Sequence, residues 1–374
     1  MLQILADENM PYVEQLFGEL GNVRTKAGRD ITCDDLIGVD VLLVRSITQV
    51  NKTLLSKAAQ LKFVGSATIG TDHLDTQYLE QRAIEWRNAP GCNATAVAEY
   101  VISALMTLST RHEMRLQDKV VAIVGAGNIG QRLAKKLSAL NIAHFFCDPP
   151  LARAGANGDY RDMAAVAQAD IISLHVPMTK TGLDKTENLI NRQFLSQLKP
   201  GTVLINSCRG DVVNNQDLLD VINQGQSLHA VMDVWQNEPL ICQELMNNVD
   251  IATPHIAGYS LEGKARGTFM LYQQWCLLAG QIQHKSLQQL LPQPTFNSTK
   301  IDLIAQSDSL IKLVRMIYDI RDDDELCRSK AGSGLGFDTL RKQYAVRREF
   351  SALTVLCNDE QQTNTLNQLG FTGE

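Results

Sequence analysis

The sequence predicts an α/β protein with two Rossmann-like lobes, each a doubly wound parallel sheet, followed by a small C-terminal α+β domain. Three observations carry this. Short runs rich in Val, Ile and Leu alternate with helical patterns through most of the chain. A glycine-rich turn, GAGNIG at residues 125–130, follows one such run. The segment LPQPTFNST at Leu291–Thr299 combines two prolines with polar spacing and reads as a linker to a separate C-terminal stretch.

In chain order, Leu2–Leu5, Val41–Val44 and Lys62–Val64 read as strands, with helices near Tyr12–Leu20, Lys52–Gln60 and Asp75–Gln81. These make a first lobe over residues 1–95. A long helix is expected from Asn93, a plausible N-cap, to about Leu116, and another from Leu261 to about Gly280. The second returns the chain, so that residues 261–290 complete the first lobe. Between them, residues 96–260 give strands at Val120–Val124, His144–Cys147, Ile171–His175, Val203–Asn206, Leu228–Asp233 and Asp250–Ala252. Helical spacing fills the gaps at Gln131–Leu140, Asp162–Ala169, Arg192–Leu198, Asn215–Asn223 and Cys242–Asn247. These strands do not alternate cleanly, as expected when helices cover both sheet faces. Residues 291–374 give a strand near Lys300–Ile304, helices at Ser309–Tyr318, Phe337–Tyr344 and Gln361–Leu369, and a strand at Ala352–Cys357. Their expected core is Leu303, Ile304, Leu310, Leu313, Val314, Ile317, Leu353, Val355 and Leu356.

Composition narrows the function classes. The chain has 374 residues, 44% hydrophobic and 20% charged, which suits two or three soluble globular domains. A net charge of -6 offers no footprint for nucleic acid. Eight cysteines lie scattered without a CxxC pair, which argues for reduced thiols and against a disulfide framework or a metal site. MLQILADENM lacks a basic leader, and no uncharged apolar run approaches the roughly 18 residues of a membrane span. A cytoplasmic protein that binds no membrane is expected.

The turn Gly125-Ala126-Gly127-Asn128-Ile129-Gly130 follows VVAIV and opens an amphipathic pattern. The first glycine permits the tight turn and the second lets a pyrophosphate approach the backbone. The third lets helix pack on strand, while the helix N-terminus supplies N–H donors. Asp148 stands 18 positions past Gly130 at a strand end, close to the roughly 20 expected of a ribose-binding acid. It would accept from the ribose diol and repel a 2′-phosphate, and Pro149 and Pro150 follow where a phosphate-binding arginine would serve NADP. NAD is therefore the expected cofactor.

Three polar residues follow later strands, where an open α/β sheet places its ligands. Arg209 follows VLINSC, Glu238 follows VMDVWQN and His255 follows IATP. Oxidising a 2-hydroxy acid needs a base for the hydroxyl proton, a cation for the carboxylate and a group to orient the base. An imidazole suits the first, a guanidinium the second and a carboxylate the third. Taken singly, each could be an ordinary surface or loop residue.

The set GAGNIG, INSCRG, VMDVWQNEP and TPHIAG resembles the D-isomer-specific 2-hydroxyacid dehydrogenases over residues 1–285 or so. The resemblance implies Arg209, Glu238 and His255 as the catalytic residues, with His255 moving the proton. It also implies that Asp233 reaches the nicotinamide carboxamide, and that Ser207, Cys208, Arg209 and Gly258 line the cofactor. Val176 stands after His175 where the family tends to carry threonine, which leaves a backbone contact there.

Further segments, ADENMP at 6–11, VRS at 44–46, PGCNA at 90–94, CDPP at 147–150 and HIAGYSLEGKARGT at 255–268, resemble one branch of that family. So do YDIRDDD at 318–324 and FDTLRKQYAVRRE at 337–349, in a tail that other branches generally lack. The implied reaction oxidises 4-phospho-D-erythronate to the 2-oxo acid, a step toward pyridoxal phosphate. Ser46, Thr68 and Tyr259 are the implied substrate contacts, and the tail is the implied homodimer interface. Arg45 beside Ser46 could supply charge for the substrate phosphate. Arg347 or Arg348, in the basic run Arg341–Glu349, could do the same from either subunit. The alternatives are a phosphoglycerate or glyoxylate type of 2-hydroxyacid dehydrogenase, or a non-enzymatic NAD-responsive corepressor on the same fold.

Overall fold

The computed structural model describes residues 1–293, 298–300, 307–332 and 334–374. It divides into two compact units, Met1–Asn93 with Ser260–Gln293, and Ala94–Tyr259 with Pro294–Glu374.

The first unit holds five parallel strands, β1 (Leu2–Asp7), β2 (Gly21–Lys26), β3 (Val41–Val44), β4 (Phe63–Ser66) and β5 (Glu85–Asn88), in the order β2-β1-β3-β4-β5. The edge strands β2 and β5 have no counterpart in the sequence reading. GNVRTK and EWRN leave most of their positions partly or fully exposed, so neither shows an apolar run. The helix expected over Lys52–Gln60 is one 3-10 turn, Leu54–Lys57, and the first helix shortens to Val13–Phe17. The Leu261–Ala279 helix closes one face of the sheet. Leu271, Tyr272, Trp275 and Cys276 join Phe17 and Phe63 in a single core. A side chain at Gly267 would press on the Ala67 carbonyl, so glycine lets this helix approach the loop after β4. Gly280, with φ of 65°, ends it.

The second unit is built on a six-stranded parallel sheet. Its strands are β6 (Val120–Val124), β7 (Ala143–Cys147), β8 (Ile171–Leu174), β9 (Thr202–Asn206), β10 (Leu228–Met232) and β11 (Ile251–Ala252). The order is β11-β10-β9-β8-β6-β7. From β6 the chain steps to β7 on one side and returns to β8 on the other, which opens the ligand crevice at the carboxyl ends of β6 and β8. The Ala94–Arg111 helix is buried almost all round, from Ala96 to Thr107, as a helix with protein on every face must be. At its end His112 Nε2 and His229 Nδ1 meet one oxygen of Asp250 at 2.8 and 3.3 Å, which ties the helix to β10 and β11.

What covers that helix is the tail. Its parallel strands β12 (Ser298–Lys300), β13 (Thr354–Leu356) and β14 (Thr372–Gly373) run in that order, with helices at Ser307–Ile317, Ile320–Lys330, Gly334–Lys342 and Glu360–Leu369. The tail was expected to close a core of its own. Instead Leu310, Leu313, Val314, Leu353 and Val355 share one cluster with Val97, Val101 and Leu105 of the long helix. Cys327, Ala331, Phe337 and Leu340 join the cluster on the other sheet face. About 80 residues alone bury a limited fraction of their surface, and joining a larger core raises it. Leu356, expected inside, is 39% exposed, while Leu303 and Ile304 lie outside the described residues. The Ile320–Lys330 helix was missed because IRDDDELCRSK buries only Ile320 and Cys327.

Polar contacts reinforce the junction. Lys136 donates to Glu99 at 3.3 Å and to the Leu369 carbonyl, and the Phe350 amide donates to Glu99 at 3.0 Å. No described helix is long and apolar enough to cross a membrane.

Candidate active site

The glycine turn sits at the switch point. Gly125 has a φ of 98°, and a Cβ there would collide with the His175 carbonyl, so the turn after β6 lies directly on the loop after β8. A Cβ on Gly130 would collide with the Gly125 carbonyl. At Gly127 a Cβ would meet nothing within 4 Å. Glycine is therefore required for chain packing at 125 and 130, whereas at 127 it leaves space in front of the backbone. Asn128 and Ile129 begin a twelve-residue helix that has no side-chain cap, which leaves this end suited to an anion. Asp148 is fixed beside the turn, since Oδ2 accepts from the Ala126 amide at 2.9 Å and Oδ1 from the Leu151 amide at 3.1 Å.

Two buried polar atoms face no protein partner near this crevice: His175 Nδ1 after β8 and Ser207 Oγ after β9. Burial pushes the His175 imidazole down to about 3, so it is neutral and carries no proton for the reaction. Ser173 meets its Nε2 at 2.9 Å. Val176 is half-buried. Burial likewise pushes the Cys208 thiol up to about 11, which makes it inert. An open glycine turn, a fixed carboxylate and unpartnered buried atoms at the switch point fit a dinucleotide.

The catalytic candidates come from the next three strand ends. After β9, Asn206 ties the loop by accepting from the Cys208 amide at 3.3 Å and donating to the Arg209 carbonyl at 3.0 Å. Arg209 is half-buried and donates to the Cys208 carbonyl at 2.7 Å. A Cβ on Gly210 would collide with the Trp235 carbonyl, so the loop bearing Arg209 lies against the loop bearing Glu238.

Glu238 Oε1 accepts from the Trp235 amide at 2.8 Å, and Oε2 meets His255 Nδ1 at 2.7 Å. Burial pushes the Glu238 carboxyl up, but the charge and hydrogen bond of His255, the Trp235 amide and the charge of Arg341 outweigh it, and it sits below its ordinary value. An ionised carboxylate only accepts, so Nδ1 carries a proton and Nε2 of the neutral ring is the basic atom.

His255 adopts a left-handed φ of 59°, which costs a non-glycine residue free energy and needs firm support. Asp233 supplies it. Its carbonyl accepts from the His255 amide at 2.7 Å, and Oδ1 accepts from the Ile256 amide and the Thr253 hydroxyl, both at 2.7 Å. Oδ2 accepts from the Ala257 amide at 3.0 Å. The half-buried Gly258 and Tyr259 complete the turn. Tyr100 backs Thr253 at 2.8 Å, and Trp235 Nε1 donates to its carbonyl at 3.0 Å. These supports, Tyr100, Asn206, Trp235 and Thr253, were not singled out in the sequence.

Two family models match. The D-isomer specific 2-hydroxyacid dehydrogenase NAD binding domain covers residues 94–257, and a domain of unknown function covers residues 290–370. An erythronate-4-phosphate dehydrogenase of Shewanella baltica is 50% identical over 378 residues, which is 100% of this chain and 99% of that one. Another from Klebsiella pneumoniae is 48% identical over 99% of this chain and 98% of its own.

The chain belongs to the erythronate-4-phosphate dehydrogenase family.

It is thus an NAD-dependent dehydrogenase, with the tail as part of the family's full length. Among solved structures, D-lactate dehydrogenase of Aquifex aeolicus, crystallised with NAD and lactic acid, superposes with a TM-score of 0.60 at 22% identity, over 74% of this chain and 96% of its own. NAD-bound 3-phosphoglycerate dehydrogenase of Entamoeba histolytica gives 0.64 at 19%, over 76% of this chain and 99% of its own. At these identities they speak for the fold.

The remaining candidate residues lie in each of the two units. In the first unit Arg45 and Ser46 follow β3, half-buried and exposed respectively. Thr68 donates to the Gly70 carbonyl at 2.9 Å and meets Ser66 at 2.7 Å, which in turn meets His73 at 2.8 Å. Burial, with the charge of Arg45, pushes the nearby Lys264 down to about 8. In the second unit Arg347 departs from expectation. It is 5% exposed, stacks 3.5 Å over Tyr318, and donates to the Ala257 and Ala96 carbonyls at 3.1 and 2.6 Å. Both terminal nitrogens of its guanidinium are thus engaged by backbone carbonyls, one of them in the turn after His255, while Nε is buried without a partner. Arg348 is half-buried.

Proposed function

We propose that the protein oxidises 4-phospho-D-erythronate at C2 to the corresponding 2-oxo acid, a step toward pyridoxal phosphate, as a cytoplasmic homodimer that uses its tail as the subunit interface. The observation that carries the reading is the 2.7 Å His255–Glu238 contact beside Arg209, in a chain half identical over its full length to named erythronate-4-phosphate dehydrogenases.

Gly125, Gly127, Asn128, Ile129 and Gly130 would cradle the pyrophosphate, and Asp148 the adenosine ribose. Val176, Ser207, Cys208 and Gly258 would line the nicotinamide side. NAD held by these residues would supply the hydride acceptor for C2. Arg209 binds the substrate carboxylate as a planar fork. Nε2 of His255 takes the hydroxyl proton, and Glu238 stabilises the imidazolium that results. Asp233 serves this step by fixing the backbone that carries His255. Ser46, Thr68 and Tyr259 offer hydroxyls to the polyol, with Arg45 as a cation for the phosphate.

The test is NADH formation by the purified protein on addition of 4-phospho-D-erythronate and NAD. Turnover with this substrate supports the reading. Turnover with 3-phosphoglycerate or glycolate alone would replace it, and NAD binding without turnover on any 2-hydroxy acid would favour a sensor.

A further inference from the structure

Among the described residues, the second unit gathers His112, His229 and Asp250 at a place the dehydrogenase reading does not use. His229 is the second residue of β10 and Asp250 directly precedes β11, so both stand at the amino ends of parallel strands. Arg209, Glu238 and His255 follow the carboxyl ends. His112 directly follows the Ala94–Arg111 helix. His112 Nε2 and His229 Nδ1 converge on Asp250 Oδ1 at 2.8 and 3.3 Å, and the two rings face each other with centres 3.8 Å apart. The three ligand atoms all lie within 4.8 Å of one another. Each residue is half-buried, so the group is open to solvent on one side.

The backbone holds this arrangement. The Asp250 amide donates to the Ala230 carbonyl at 2.9 Å, and Oδ2 accepts from the Ala230 amide at 3.0 Å. These two bonds fix the carboxylate to β10 beside His229 and turn Oδ1 toward the histidines. The His112 amide donates to the Leu108 carbonyl at 2.9 Å, and Arg111 donates to the Asp250 carbonyl instead of its carboxylate.

We propose that His112, His229 and Asp250 form a binding site for a zinc-like divalent transition metal, which staples the end of the long helix to β10 and β11. Two imidazoles and a carboxylate are zinc ligands with bonds of about 2.0–2.2 Å, and in a tetrahedral site such atoms stand roughly 3.3–3.5 Å apart. The contacts to Oδ1 need to open by about half an ångström or less to admit the ion, with water as the fourth ligand. In the bound form each imidazole is neutral, gives its lone pair to the metal and keeps its proton on the other nitrogen. Oδ2, held by the Ala230 amide, orients the carboxylate as an outer-shell hydrogen bond does. Magnesium and calcium favour all-oxygen sites and fit poorly here. The scattered cysteines take no part, and the inference does not depend on the reaction proposed above.

The experiment is calorimetric titration of tag-free, chelator-treated full-length protein with ZnCl2, and with MgCl2 as control. Wild type, His112→Gln, His229→Gln and Cys242→Ser are compared, the last because Cys242 is an exposed thiol that could capture zinc. Gln keeps a hydrogen-bond donor for Asp250 but cannot replace the imidazole. Wild type and Cys242→Ser should take up one equivalent of zinc, with a rise in melting temperature, and no magnesium. Each Gln variant should lose at least the roughly 10–100-fold in affinity that even an outer-shell partner carries, and its melting temperature should no longer respond to zinc. If a Gln variant melts low without metal, the absorption of cobalt-loaded wild type decides. A ligand-field band without thiolate charge transfer supports the His–Asp donor set, and a thiolate band refutes it. No stoichiometric uptake by wild type, or equal affinity in wild type and both Gln variants, would overturn the site and leave a hydrogen-bonded clamp.

Discussion

The imidazole of His255, the proposed general base, is held by one carboxylate through its ring and by another through the backbone around it, and the two can be tested apart. His255→Ala should lower kcat by roughly 10²–10⁴-fold while NAD binding is kept, because it removes the general base alone. Glu238→Gln should move the acid limb of the kcat/KM profile to lower pH, since the anion that stabilises the imidazolium is gone. An unmoved limb would deny Glu238 that role. Asp148→Ala should raise KM for NAD and narrow the preference over NADP, and kinetics with both cofactors would show it. Arg209, Glu238 and His255 could be singled out because each follows a strand inside a distinctive motif. The part played by Asp233 could not. A carboxylate after a strand reads as a ligand contact, and that pattern does not show that its oxygens accept from Thr253, Ile256 and Ala257.

The glycine turn shows what an element demands beyond its pattern. The three glycines of GxGxxG differ in what surrounds them. Gly130→Ala would drive a methyl into the Gly125 carbonyl, and Gly127→Ala would put one into open space. Gly130→Ala should therefore lower the melting temperature and abolish NAD binding. Gly127→Ala should fold normally and still weaken NAD, because the methyl occupies the approach to the backbone. Calorimetry on the two variants distinguishes these outcomes, and equal losses of stability would contradict the assignment. All six strands of the nucleotide sheet could be read from apolar runs, to within a residue or two at their ends. β2 and β5 could not, because an edge strand with polar outer positions carries no such run. The same limit hid the acidic Ile320–Lys330 helix, which is held by Ile320, Cys327 and the docking of its neighbours.

For the whole molecule, the tail expected as an attached dimer module turns out to complete the nucleotide unit. Sequence could show that residues 310–314 are apolar at helical spacing, but not that their partners are Val97, Val101 and Leu105. Removing residues 294–374 should expose that helix and give an insoluble or low-melting protein, as judged by sedimentation and thermal melting. A truncated chain that stays folded and dimeric would refute both the packing and the tail interface. Glu99 adds a pH dependence to the junction. Burial pushes its carboxyl up to about 7, against the lowering charge of Lys136. Its contribution is thus fully present below the ordinary value of 4.5 and is lost as pH rises through the raised one. Glu99→Gln should flatten the fall in melting temperature between pH 5 and 8.

The most direct test of the central claim is a comparison of kcat/KM with NAD for 4-phospho-D-erythronate and 3-phosphoglycerate, in wild type and in His255→Ala. A strong preference for the four-carbon phosphate is expected, with loss of that turnover in the variant. Equal or reversed preference, or a variant that turns over as fast as wild type, would contradict it.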